Sequence, residues 1–309
     1  MTVAVLIKEM KSGDESPHSK GAVPGCPLCD AEPAPLFEKD GIPIWECPGC
    51  SHRFALPPEP ETHVAAVYGD DYFHGGGAGY SDYLSESALL REHGRRYARI
   101  LSRHVKQPGT LLDVGAAAGF LLQGFCDQGW EGEGVEPNAA MARHAREQLG
   151  LPVTASSLEE FSSATRASFD VVSLIQVMAH FVDPNAAVGR IAEFVRPGGF
   201  CLVETWNVRS WTARLFGQQW HEYSPPSVLH WYSPATLKRL FESAGFHQVA
   251  QGRPGKWLNL GHAKSLLRHK LPNAVCRAGL DMTLGLLPSR WHVPYPSEDL
   301  FWTLFQRSQ

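Results

Sequence analysis

Leu111-Leu112-Asp113-Val114-Gly115-Ala116-Ala117-Ala118-Gly119-Phe120 is an apolar run that passes into a turn of small residues and then into a further apolar segment. Gly134-Val135-Glu136-Pro137 follows, placing a carboxylate 23 residues after Asp113. Strand, tight turn, helix and a second strand ending in an acid form the first unit of a doubly wound sheet that holds a nucleoside cofactor. The turn narrows which cofactor. A dinucleotide pyrophosphate needs the middle glycine of G-x-G-x-x-G, where backbone N–H groups approach the phosphates, and Ala117 occupies that place. Asp113 would repel a phosphate and suits a cationic amino group, while Glu136 can accept hydrogen bonds from two ribose hydroxyls. S-adenosylmethionine has those groups and no phosphate. On this reading Asp113, Gly115, Ala116 and Gly119 hold its methionine end, and Glu136, with Pro137 beside it, its ribose.

Outward from this unit, alternating elements predict a Rossmann-like α/β sheet with strands near 110–115, 132–136, 152–156, 169–176 and 199–205. The apolar stripe Leu89, Leu90, Tyr97, Ile100, Leu101 and Val105 predicts a helix packed against the sheet. Arg95, Arg96, Arg99 and Arg103 fall largely opposite, as a solvated surface or an RNA face. Ser233-Pro234 opens another helix with a cap and a first-turn proline, and Gly245 ends it. The chain has 309 residues with 43% hydrophobic content, enough for one large core and a small appendage.

Four of the seven cysteines form two pairs, Cys26-Pro-Leu-Cys29 and Cys47-Pro-Gly-Cys50, separated by 17 residues. Each C-x-x-C can wrap two thiolates around one side of a tetrahedral ion, which predicts a structural zinc ribbon. Two disulfides or free thiols are the alternative, and His52 could replace Cys50 as a ligand. Cys126, Cys201 and Cys276 lie in apolar patterns and read as core residues. No apolar segment of 18 residues is present and Met1–Ile7 is too short for a signal peptide, so the expectation is a cytoplasmic protein without a membrane span, its thiols reduced. A net charge of −4 argues against nucleic acid as partner. Nothing in the sequence fixes an oligomeric state.

The stretch from Leu111 to Phe246 resembles the class I SAM-dependent methyltransferases, and within them the bacterial small-molecule enzymes that carry an N-terminal zinc ribbon. The similar segments are LLDVGAAAGFLL (111–122), GVEPN (134–138), SFDVVSLIQVMAHFVDP (168–184), RPGGFCLVETWN (196–207) and HWYSPATLKRLFESAGF (230–246). Two positions depart from the family pattern. Ala117 replaces the middle glycine, and Ala179-His180 stands where a Glu-His pair is common, so no role of that glutamate, metal binding included, carries over. The resemblance implies a seven-stranded sheet whose sixth strand is Phe246–Gln251 and whose last, antiparallel strand is Asp299–Gln306. It also implies that Ser157, Leu158 and Gln176 lie around the adenine, although Ser157 reads equally as a loop-capping serine.

The organisation expected is a polar, disordered tail over 1–22, the ribbon over 23–55, a linker or lid over 56–84, and the methyltransferase domain over 85–309 with insertions at 206–232 and 253–296. Tyr72, Tyr80 and Tyr83 border a glycine-rich segment and could close over a sulfonium through cation–π attraction. Seven of the nine tryptophans lie from Trp206 onward, which makes the first insertion either an acceptor lid or a small core of its own. A base is needed only if the acceptor must lose a proton. His180, beyond the fourth strand and matching a family histidine, is the first candidate, with a structural histidine capping that turn as the alternative, and His221 and His230 in the insertion are the next. The function expected is methyl transfer from S-adenosylmethionine to a small molecule such as a sugar, nucleotide-sugar or natural product, at oxygen, with structural zinc. An rRNA methyltransferase with a zinc finger and an inactive SAM-binding scaffold are the alternatives.

Overall fold

The computed structural model describes residues 25–309 other than 58, 61–62, 64–66, 68–82, 163–167, 256, 260–291 and 295–296. The tail over 1–22, Tyr72, Tyr80, Cys276 and most of the insertion at 253–296 therefore lie outside the described residues. A seven-stranded sheet carries the fold, in the order β10-β13-β8-β7-β4-β5-β6. Its members are β4 (Thr110–Val114), β5 (Glu131–Glu136), β6 (Val153–Ala155), β7 (Phe169–Ile175), β8 (Val195–Trp206), β10 (Phe246–Gly252) and β13 (Leu300–Arg307). Neighbours from β6 across to β8 run parallel, and β13 enters antiparallel between β8 and β10. The expected α/β, Rossmann-like, doubly wound seven-stranded sheet is thus present, with its last strand reversed.

Strands buried on both faces are near-continuous apolar runs, and Val171, Val172, Leu174, Cys201, Leu202 and Val203 are buried accordingly, with Ser173 and Glu204 the polar exceptions among them. One face packs α1 (Ser87–Leu101) and α2 (Phe120–Cys126), and α3 (Ala139–Leu149) follows β5. The other packs α4 (Pro184–Phe194) and α6 (Pro234–Ser243). The caps are local and legible: Asn138, Asp183 and Ser233 each accept from backbone N–H groups of the first helical turn, and proline follows Asp183 and Ser233. On α1, Arg91 and Arg95 pair with Asp127 and Arg99 with Glu92, whereas Arg96 donates to the Gly255 carbonyl.

The N-terminal strands β1 (Ala34–Lys39), β2 (Ile42–Glu46) and β3 (Arg53–Ala55) form an antiparallel sheet with a fourth member, β9 (His230–Trp231), from the first insertion. Phe54 stands opposite His230 and Arg53 opposite Trp231. Beneath this sheet Ile42, Ile44 and Ala55 share a core with Trp220, Tyr223, Val228 and Trp231. The tryptophans of the first insertion are therefore divided: Trp220 and Trp231 fill a core shared with the ribbon, while Trp211, on α5 (Trp211–Phe216), is exposed. Strands β11 (Trp257–Asn259) and β12 (His292–Pro294) pair as a separate hairpin. Among the described residues, no helix is long and apolar enough to cross a membrane.

Candidate active site

The ends of β4, β5 and β7 open into a cleft where the strand order departs in both directions from β4, the place where doubly wound sheets bind ligands. Gly115 turns the chain at the end of β4 with φ +71°, and a Cβ there would lie 2.6 Å from Val177 Cγ2, so glycine is required twice over. Ala117 adopts φ +47° and Gln176 φ +61°, left-handed backbone that costs a non-glycine residue about 1–2 kcal/mol. Two of the six described non-glycine residues with positive φ, Ala117 and Gln176, line this one cleft, and strain held at a cleft marks a candidate functional site.

Glu136 ends β5 almost fully buried. Its Oε2 accepts from the Ala117 N–H at 2.9 Å and its Oε1 from the Asn138 N–H at 2.8 Å, which ties the turn after β4 to the turn after β5. Each oxygen keeps a second lone pair for a ligand hydroxyl. Burial raises the pKa of this carboxyl, with the two backbone donors opposing. Pro137, Ser157, Leu158 and Gln176 also line the cleft, the Gln176 Nε2 donating to Glu204 Oε1 at 3.1 Å. Ser157 caps its loop, its Oγ accepting from the Glu160 N–H at 3.3 Å, and it also lines the cleft. Tyr83 lines the cleft and stacks on Phe120 at 5.9 Å.

Three residues assigned to the methionine end lie elsewhere. Asp113 Oδ1 accepts from Ser173 Oγ at 2.6 Å, and Oδ2 is buried without a partner among the described residues, so the carboxyl is sealed within the sheet. Burial lifts its pKa to about 7, Ser173 opposing and the Glu136 charge adding. Ala116 and Gly119 shape the turn, Gly119 with φ +84° ahead of α2, without lining the cleft, and Ala117 lines it instead. Among the described residues lining the cleft there is no lysine or arginine to meet a phosphate, and a carboxylate stands at the end of β5.

His180 follows β7 on the cleft wall, half-buried, beside Phe181 and Val182. Its Nδ1 lies 2.7 Å from the Ser227 carbonyl, a contact that requires an N–H at Nδ1 and so puts the neutral ring's lone pair at Nε2. Burial lowers its pKa, with the Ser227 and Gln176 carbonyls opposing. His221 and His230 are not among the described residues lining the cleft. His221 packs edge-on to Trp206 and pairs with Glu222 at 3.2 Å, and His230 is buried with its Nδ1 3.1 Å from His52 Nε2. His93, on α1, lines the cleft and was not anticipated. It sits in the stripe of Leu89, Leu90 and Tyr97, where a lone histidine reads as core; the available signal was the Gly94 beside it, whose absent side chain lets α1 reach α2.

Cys26, Cys29, Cys47 and Cys50 converge, their sulfurs all within 4.8 Å of one another. Cys26 and Cys50 sulfurs are 3.6 Å apart and those of Cys29 and Cys47 3.4 Å. A tetrahedral ion with bonds of about 2.3 Å to sulfur spaces its ligands by about 3.8 Å, so the donor set fits zinc. All four are free thiols rather than disulfides. Burial pushes the Cys50 thiol up to about 11; at Cys47 burial pushes upward too, but the Cys50 N–H and the neighbouring thiols outweigh it and bring Cys47 down to about 7. His52 lies outside the cluster, paired with His230.

A family model described as "Methyltransferase domain" matches residues 88–251. The chain is similar to the ubiquinone biosynthesis O-methyltransferase of Aeromonas salmonicida (strain A449), 30% identical over 146 residues that cover 44% of this chain and 61% of that protein. It is 32% identical over 131 residues to the enzyme of the same name from Bradyrhizobium sp. (strain ORS 278), covering 41% and 49%. The chain thus spans about half to three fifths of the length of these curated relatives. In three dimensions it is similar to Burkholderia thailandensis 1,6-didemethyltoxoflavin-N1-methyltransferase, solved with 1,6-didemethyltoxoflavin and S-adenosylhomocysteine, with a TM-score of 0.50 at 17% identity over 89% of this chain and 99% of that one. At that identity the likeness shows the fold. The family match covers more than half of the chain and runs through every strand that frames the cleft, and the chain belongs to the class I SAM-dependent methyltransferases.

Proposed function

We propose that this protein transfers the methyl group of S-adenosylmethionine to a hydroxyl of a small molecule, a sugar, nucleotide-sugar or natural product, with His180 as the base. The observation that carries the reading is the Nδ1 contact of His180 with the Ser227 carbonyl on the wall of a nucleoside cleft. When bound, the cofactor supplies an electrophilic methyl on a sulfonium. Glu136 would hold its ribose, the 157–158 turn and Gln176 its adenine side, and Gly115, Ala117 and Tyr83 its methionine end. The His180 ring is held in one tautomer, so Nε2 can take the acceptor's proton as the oxygen attacks. A depressed pKa keeps the ring neutral near pH 7, where a base must be unprotonated. The relatives named O-methyltransferases support oxygen as the acceptor atom. Four reduced thiols in a tetrahedral set support structural zinc in a cytoplasmic setting. The ion pairs of the α1 arginines support a small molecule over RNA.

Formation of S-adenosylhomocysteine against a panel of hydroxylated small molecules, with total RNA as comparator, tests the reading. Turnover confined to the small molecules is expected, and turnover only on RNA would overturn it. With the acceptor found, His180→Ala should lower kcat by roughly 10²- to 10⁴-fold. In the parent, kcat/KM should rise with pH through an apparent pKa below the usual imidazole value of about 6.5. Full activity of His180→Ala would remove the base from this account.

A further inference from the structure

The ribbon and the His180 turn are joined through one short strand. Ala55, at the end of β3, donates its N–H to the Leu229 carbonyl at 2.8 Å. Leu229 in turn donates its own N–H to the Ala179 carbonyl at 2.9 Å, one residue before His180. Two residues earlier the Ser227 carbonyl accepts from His180 Nδ1 at 2.7 Å. The segment Ser227–Leu229 therefore faces the ribbon on one edge and the His180 turn on the other. Side chains follow the same path. His52, two residues after Cys50, places Nε2 3.1 Å from His230 Nδ1 and stacks on it at 5.4 Å, both rings buried. On the far side of the cysteine cluster, the Pro27 carbonyl accepts from Asn185 Nδ2 at 2.5 Å, and Leu28 packs against the main core. The cluster is thus pinned both at α4 and at the segment ahead of β9 that contacts the His180 ring.

We propose that the metal-loaded ribbon is a positioning device for His180: the Cys26, Cys29, Cys47 and Cys50 centre orders β3, β3 orders Ser227–Leu229, and that segment sets the tautomer and placement of the imidazole. Three features point there. The buried cluster around the cysteines is small, Cys26, Cys47 and Phe54, so the ion would contribute much of the local order there beside the core shared with Trp220 and Trp231. A two-residue strand such as β9 cannot hold its place unaided and takes its register from β3. His180 Nδ1 meets the Ser227 carbonyl of the segment so held, while the Gln176 carbonyl faces the same ring from just beyond β7. Glu136 and the turn after β4, by contrast, are fixed by bonds within the seven-stranded sheet and do not pass through the ribbon. Loss of the metal should therefore disturb His180 and spare the nucleoside pocket.

The inference rests on the reading of His180 as the base, and its test needs no turnover. Histidine-¹⁵N-labelled full-length protein is loaded with zinc, stripped with a chelator and reloaded; the Nδ1–H signal of His180 is assigned by its absence in His180→Gln. S-adenosylhomocysteine affinity is measured on the same samples. The signal should disappear or shift on stripping and return with zinc, while affinity changes less than about threefold, below the roughly 5- to 150-fold of an energetic coupling. Ala55→Pro removes the N–H that reaches Leu229 and leaves the four cysteines in place. With a tetrahedral cobalt(II) spectrum retained, it should lose the same His180 signal. An unchanged signal in either arm overturns the proposal. So does loss of S-adenosylhomocysteine binding in step with the signal in both arms, which would make the ribbon a support of the whole fold. Full turnover in His180→Ala with a signal that still follows the metal would end the base reading and leave the positioning intact.

Discussion

Asp113 and Glu136 are neighbouring buried carboxyls with different tasks, separated by what each touches. Glu136 meets backbone donors at the cleft, and Asp113 meets a hydroxyl inside the sheet. A carboxyl whose folded pKa is raised favours the fold in its protonated form. The contribution of Asp113 is therefore complete below the ordinary carboxylate pKa of about 3.9, and it is lost as pH rises through the folded value of about 7. Asparagine keeps the acceptor for Ser173 and carries no charge. The linkage of about 4 kcal/mol, less about 1–3 kcal/mol for a newly buried amide N–H, leaves Asp113→Asn about 1–3 kcal/mol more stable than the parent at pH 8, and less stable than the parent near pH 4. Denaturant melts at the two pH values check this, and parallel curves would contradict it. Affinity for S-adenosylhomocysteine should stay unchanged, whereas an amino-group anchor at Asp113 would require it to fall.

At the scale of elements, the contact between α1 and α2 sets the cleft wall that carries His93 and Leu121. Gly94 and Gly124 meet there, and a Cβ added at Gly94 would stand 2.1 Å from the Leu121 carbonyl oxygen, one at Gly124 2.1 Å from that of Arg91. Neither neighbour is a flexible side-chain end, so the helices must separate. Gly94→Ala or Gly124→Ala should cost at least the roughly 1–3 kcal/mol of an overpacked core, seen as a lowered melting temperature, and a change within error would show that α1 moves freely. The same elements show what could be read in advance. Strands β4, β7 and β8 were legible because parallel strands buried on both faces are near-continuous apolar runs, β5 (EGEGVE) only through the acid that ends it after the small-residue turn, and the helix starts because Asn, Asp and Ser caps act locally. Strand β9 was not legible: two residues carry no period, and His230 meets His52 across 178 positions of sequence. The sealed position of Asp113 was hidden for a similar reason, since its partner Ser173 lies on another strand.

Across the whole molecule, the ribbon is not an appendage but shares a sheet and a core with the methyltransferase fold. Stripping the metal should therefore reach Trp220 and Trp231, so that tryptophan emission and near-ultraviolet dichroism change along with zinc content, which should be one ion per chain. Zinc release with unaltered tryptophan signals would show that the shared core stands without it. The central claim concerns the cleft: the turn after β4 and the carboxylate ending β5 were the most legible part of the sequence, and they meet in the structure through the Ala117–Glu136 bond. Calorimetric titration with S-adenosylhomocysteine, of the parent and of Glu136→Ala, tests that claim most directly, with NAD as comparator. One site per chain is predicted, weakened in Glu136→Ala by about 1.5–3 kcal/mol, the range for hydrogen bonds to a charged group, with no binding of NAD. Equal affinity in a folded Glu136→Ala variant, or binding of NAD in preference to S-adenosylhomocysteine, would contradict it.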